Sequence, residues 1–125
     1  MYSLSSKSLD ILKSVHPDLY AVVRRAIRIT IQDFAVFEGI RSIERQRELF
    51  NAGKSQTMNS RHLTGHAVDL VPWVGKLVWD HKLCLNIWVA MSQASIELDV
   101  PIEWGGNWVS FVDSPHYQLP KDRYP

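Results

Sequence analysis

The sequence predicts an α+β domain in which N-terminal helices pack on a small, mainly antiparallel sheet. Two features carry that reading. Apolar residues recur at helical spacing after Pro17 and again after Asp80, whereas short β-branched and aromatic runs elsewhere are punctuated by Gly and Pro. The length, 125 residues with 46% hydrophobic and 22% charged, suits one domain with a buried core.

The elements follow in order. A short helix is expected over Ser6–Lys13. From Pro17, a residue suited to a first helical turn, Leu19, Val22, Val23, Ala26 and Ile27 fall at i, i+3, i+4, i+7 and i+8, one face of an amphipathic helix. Phe34–Ile40 is β-branched and aromatic and reads as a strand, after which Ser42 can cap a helix running to about Ala52. His66–Val71 reads as extended, broken at Pro72 and turning at Gly75. A helix starting near Asp80 carries Leu83, Ile87, Ala90, Met91, Ala94 and Leu98 on one face, with Pro101 beyond its end. Ile102–Trp104, Val109–Val112 and His116–Leu119 read as short strands, placing the sheet toward the C-terminus.

Several function classes are excluded early. Fourteen Lys and Arg against thirteen Asp and Glu give a net charge of +1, so no basic face for nucleic acid is advertised. Nothing approaches the roughly 20 apolar residues of a membrane span, and no apolar signal core precedes Asp10. Synthesis in the cytoplasm without a signal peptide is therefore expected. The single cysteine, Cys84, rules out an internal disulfide and a cysteine-based metal site. Any metal must be held by His and carboxylate.

Of five histidines, His62, His66 and His116 lie near groups that could work with them. His62 and His66 stand four apart, as in a helical zinc motif. Gly65 interrupts such a helix, however, and no Glu follows the first His. As a strand, His66 points with Val68 and Leu70 while Asp69 points the other way. His62, placed before the turn at Thr64-Gly65, can instead fold back to meet Asp69. His116 supplies a third ligand, giving a His, Asp, His set that leaves one tetrahedral position for water, as catalytic zinc requires. Asp113, three residues before His116 across a Pro-containing turn, can approach that water as general base. Asp69 could equally be a structural carboxylate and His116 a core histidine. Trp104 is the tryptophan best placed to wall a cleft.

Ser60-x-His62-x-x-Gly65-x-Ala67-x-Asp69 followed by Asp113-x-x-His116 resembles the two-part signature of the zinc D-Ala-D-Ala carboxypeptidases and L-alanyl-D-glutamate peptidases, whose small members include phage endolysins. The likeness extends to Glu38-Gly39-Ile40-Arg41-Ser42, to Trp104-Gly105-Gly106-Asn107-Trp108 and to Pro115-His116-Tyr117-Gln118, covering residues 30 to 120 in order. The resemblance implies a hedgehog/D-Ala-D-Ala-peptidase-like fold, one catalytic zinc ion on His62, Asp69 and His116, and Asp113 as base. It also implies that Arg41 polarises the scissile carbonyl or holds a carboxylate, and that Ser60 binds substrate. Arg41 could instead form a surface ion pair with Glu38 or Glu44. Asn107 stands where many relatives carry Asp.

What the resemblance implies overall is a monomeric endolysin that hydrolyses the L-alanyl-D-glutamate bond of bacterial peptidoglycan during host lysis, released to the periplasm by a holin-type partner. Residues 1–125 are then expected to be one zinc peptidase domain without a separate cell-wall-binding domain, suited to a thin Gram-negative wall. Two alternatives stay open. A D-alanyl-D-alanine carboxypeptidase or dipeptidase would use the same metal site, and a non-catalytic zinc-stabilised binding module would keep the fold and the metal without hydrolysis.

Overall fold

A computed structural model describes residues 1–125. Helix α1, Ser6–Leu12, is capped by Ser5, and α2, Pro17–Ile29, starts where the His16 ring accepts the Asp18 amide. Strand β1, Phe34–Glu38, leads through Ser42, whose hydroxyl accepts the Arg45 amide, into α3, Ile43–Asn51. A 3-10 turn at Arg61–Thr64 precedes β2, Ala67–Pro72. Asp80 caps α4, His81–Leu98, and a left-handed Asp99 closes it before Pro101. Strands β3, Glu103–Trp104, and β4, His116–Gln118, flank a second 3-10 turn at Gly105–Asn107.

The four strands form an antiparallel sheet in the order β1-β2-β4-β3. The α+β class therefore holds, with a correction to where the sheet lies in the chain. Its strands span Phe34 to Gln118, because the edge strand β1 and the inner strand β2 precede α4. A second correction concerns Val109–Val112, which is a run of bends rather than a strand, with Val109 98% exposed. The β-branched residues there pair with no strand, and propensity alone does not make one.

One cluster of 20 buried residues forms the core. The buried faces of α2 and α4 meet Phe34, Val36, Val68, Leu70, Trp104 and Tyr117 from the sheet. Because strand side chains alternate, the inward Val68 and Leu70 leave Asp69 on the opposite face. Helix α1 covers the outer edge of β1, where the Ser8 hydroxyl accepts the Val36 amide at 3.0 Å. That contact satisfies an edge donor that would otherwise invite pairing. Gly75, at φ +82°, makes the turn that lets Trp73 bridge to Leu77.

Candidate active site

Sheet register brings the first two groups together. Asp69 on β2 is the cross-strand partner of His116 on β4, and the next residue of β1 in register with Asp69 is Glu38. His62 arrives from the 3-10 turn. The Ser60 hydroxyl accepts the His62 amide at 3.1 Å, and Gly65, left-handed at φ +77°, ends the turn and sends the chain back into β2. The result is that Nε2 of His62 lies 3.2 Å and Nδ1 of His116 3.4 Å from Oδ1 of Asp69. Ligand atoms of all three lie within 4.8 Å of one another.

The outward nitrogens decide what this cluster is built for. His62 Nδ1 sits 2.8 Å from the Gly39 carbonyl, and His116 Nε2 sits 2.8 Å from Oε1 of Gln118. A carbonyl only accepts, so His62 carries its proton on Nδ1. The amide of Gln118 points its NH2 at Glu103, 2.9 Å away, so its oxygen faces His116 and that ring carries its proton on Nε2. Two imidazole lone pairs and a carboxylate oxygen then converge with no donor between them. Either a metal ion or an added proton on an inward nitrogen balances such a set, and outward hydrogen bonds of this kind are the usual support of metal-binding histidines. His62, Asp69 and His116 thus fit a metal ion.

Charge follows the same geometry. Burial would push the Asp69 carboxyl up, but His62 and His116 outweigh it and hold it well below the usual carboxylate range. Burial opposes charge on His116, yet its bond to Asp69, the Asp69 charge and the bond to Gln118 raise it. Asp113 is raised, first by burial and then by the nearby Asp69 charge. The turn that holds Asp113 is fixed by its amide, which donates to the Gly105 carbonyl at 2.9 Å, and by the His116 amide, which donates to the Asp113 carbonyl at 3.1 Å.

All four groups line one cleft of about 980 Å³, between the α3–β2 connection and the loop before β4. Arg41 and Ser60 line it too, as do Trp79 and Trp108.

The model of the phage L-alanyl-D-glutamate peptidase family matches residues 1–120. The chain belongs to that family. It is similar to the L-alanyl-D-glutamate peptidase of Escherichia phage T5, 32% identical over 118 residues that cover 90% of this chain and 85% of the relative. It is 40% identical over 85 residues to the L-alanyl-D-glutamate peptidase of Listeria phage A118, a match covering 67% of this chain and 29% of that longer protein. Among solved structures, the Serratia marcescens L-Ala D-Glu endopeptidase ChiX superposes with a TM-score of 0.91 at 44% identity, over 98% of this chain and 94% of that one.

Within this peptidase fold, two expectations need revision. Trp104 does not wall the cleft. It is 4% exposed, stacked between Trp88 and His81, with its indole N–H donating to the Ser114 carbonyl at 2.7 Å. Trp108, whose ring centroid is 5.0 Å from that of His116, and Trp79 take the cleft positions instead. Arg41 is no surface ion pair. Its guanidinium is buried, donating from Nε and NH2 to the two oxygens of Glu38 at 2.6 and 3.0 Å and from NH1 to Oε1 of Gln46 at 2.7 Å, with NH2 also 3.6 Å from Oδ2 of Asp69. His66, as the strand parity expects, stays apart from Asp69, hydrogen-bonding Thr64 and facing the His16 ring.

The supporting partners Glu38, Gln46, Gln118 and Glu103 were not singled out as site residues by the sequence alone. Gln118 did have a signal, since strand alternation places it on the same face as His116. Cys84 offers no nucleophile, because burial, followed by Asp80 and Asp113, pushes its thiol up to about 11.

Proposed function

We propose that this chain hydrolyses the L-alanyl-D-glutamate bond in the stem peptide of bacterial peptidoglycan, with one zinc ion held by His62, Asp69 and His116. The observation that carries the reading is the convergence of three lone-pair ligands in a cleft shared with Asp113, in a member of this peptidase family. Three protein ligands leave an open coordination position, the arrangement of catalytic rather than structural zinc. Bound there, zinc supplies Lewis acidity, bringing the pKa of a coordinated water to about 7 and polarising a carbonyl.

The chain's own residues supply the proton traffic. Asp113, raised by burial and by Asp69, takes the proton of the attacking water and passes it to the departing D-glutamyl nitrogen. Arg41 keeps a positive charge at the cleft, with NH2 3.6 Å from Oδ2 of Asp69. Ser60 holds His62 in place through its cap and presents its remaining hydroxyl valence to the cleft. Trp79 and Trp108 give apolar walls for the peptide. No covalent intermediate is needed, since no Ser or Cys stands activated by a base in the cleft.

The phage origin of the matching family and of two relatives supports a role in host lysis. In that role the domain, 1–125, works as a monomer on the wall from the periplasm, reaching it through a membrane-permeabilising, holin-type partner. No helix of the chain is long and apolar enough to cross the membrane itself.

Chelation tests the reading. Treatment with a strong chelator should abolish release of soluble peptide from purified peptidoglycan, and one equivalent of zinc should restore it. Undiminished release from metal-free protein would contradict the proposal.

A further inference from the structure

Helix α3 buries one residue fully, and that residue is polar. Gln46 is 0% exposed and uses both ends of its amide. Its oxygen accepts from Arg41 NH1 at 2.7 Å, while its nitrogen donates to the Ser55 hydroxyl at 2.8 Å and to the Thr57 carbonyl at 2.6 Å. The orientation is unambiguous. Turned over, the amide would set NH2 against a guanidinium and oxygen against a carbonyl.

Its two partners belong to different parts of the cleft. Arg41 reaches Asp69, at the metal-ligand cluster. Ser55, Gln56, Thr57, Asn59 and Ser60 form one wall of the same cleft, in a segment with neither helix nor strand. Lys54 and Ser55 are tied to the Leu49 carbonyl, and Ser60 caps the 3-10 turn, but residues 56–59 are held only at Thr57, by Gln46 at 2.6 Å and by longer contacts of 3.2 and 3.4 Å with the Ser55 hydroxyl that Gln46 also anchors. Nor does packing replace them, since Gln56, Thr57, Met58 and Asn59 are all exposed.

We infer that Gln46 is a positioning residue that couples the 55–60 wall of the cleft to the Arg41 guanidinium beside Asp69, so that one buried amide sets both where the peptide lies and how the arginine faces the ligand cluster. The kinetic part of this inference rests on the proposed peptidase activity. The structural part does not, and the two can be read separately.

The test uses the zinc-loaded full chain with a soluble peptide containing the L-alanyl-D-glutamate bond, and trypsin cleavage after the exposed Lys54 as a probe of the wall. Gln46→Glu keeps the acceptor for Arg41 but turns an oxygen toward the Thr57 carbonyl. It should speed native-state cleavage after Lys54 about tenfold and raise KM about tenfold, with kcat within about twofold, the effect of losing one buried hydrogen bond. Gln46→Met loses both ends, and kcat should now fall about tenfold as well. Ser55→Ala, on the partly exposed side of the contact, should fold normally and show the same change as Gln46→Glu at about a third of its size.

Unchanged cleavage and KM in Gln46→Glu and Ser55→Ala would overturn the inference. So would equal losses of kcat in Gln46→Glu and Gln46→Met, or variants that differ from the parent in melting temperature alone. If the parent chain cleaves no peptide, the peptidase reading fails, while the trypsin comparison still decides whether Gln46 holds the wall.

Discussion

Asp69 and His116 face each other across adjacent antiparallel strands, with Oδ1 of one 3.4 Å from Nδ1 of the other. Two of the three groups proposed to hold the metal are thus fixed by sheet register, and only His62 depends on a turn. A one-residue slip of β4 would send His116 to the core side and Tyr117 to the cleft. Tyr117, fully buried against Trp88 and Leu70's layer of the core, holds the register against that slip.

Replacing Gln118 with Leu removes the acceptor of His116 Nε2–H while leaving the ligand in place. Metal affinity should drop by about 10- to 100-fold, the usual effect of losing the outer partner of a ligating histidine. A competition titration against a zinc chelator measures it, and circular dichroism should show an unchanged fold.

Asp113→Ala should keep its zinc and lose hydrolysis by about 10²- to 10⁴-fold, the range for a missing general base. Melting temperature should not fall, because the substitution removes a carboxylate whose charge is disfavoured by burial and by Asp69. Elemental analysis beside a product assay separates this outcome from the loss of metal expected of His62→Ala.

Gly105 explains one glycine of the Gly105-Gly106 pair. A Cβ there would lie 2.3 Å from the Asp113 carbonyl oxygen and 3.1 Å from the His116 Cβ. Gly105→Ala must therefore shift the turn that carries Asp113. Overpacking of this sort costs about 1–3 kcal/mol. Activity should fall further than that loss of stability explains, which thermal melts and kinetics on the same preparation will show.

Acid and base act oppositely on the metal-free and zinc-loaded forms. In the metal-free chain the raised His116 contributes stability that is fully present below its unfolded pKa of about 6.5 and is lost as pH rises through its folded value. The depressed Asp69 contributes stability present above about 3.9 and lost only as pH falls through its folded value, so it does not change in this window. Zinc needs both imidazoles unprotonated on their inward nitrogens, so its binding tightens as pH rises. The melting-temperature gap between zinc-loaded and chelated protein should widen from about pH 6 to about pH 8. A constant gap would contradict the ligand set.

Much of this was legible in the sequence because it rests on local chemistry. Pro17, Ser42 and Asp80 mark helix starts, and the buried residues of α2 are those of its apolar stripe. His62, Asp69 and His116 were legible through a turn and the parity of two strands. The supporting layer was not. Helix α3 has no apolar stripe that is buried, and periodicity says nothing about a helix whose single buried residue is Gln46. Trp104 misled because a tryptophan beside a glycine pair reads equally as wall or core. The structure resolves it through Gly106, whose missing side chain lets the Trp104 indole lie against the backbone. Val109–Val112 had the residues of a strand, and no partner for one.

Mass spectrometry of the soluble products from Gram-negative peptidoglycan, incubated with zinc-loaded and with chelated protein, reports metal dependence, reaction and scissile bond together. Zinc-dependent peptides that begin at D-glutamate, with L-alanine left on the glycan, are the expected product. Zinc-dependent release of D-alanine alone, or no zinc-dependent product from folded, zinc-loaded protein, would contradict the proposed activity.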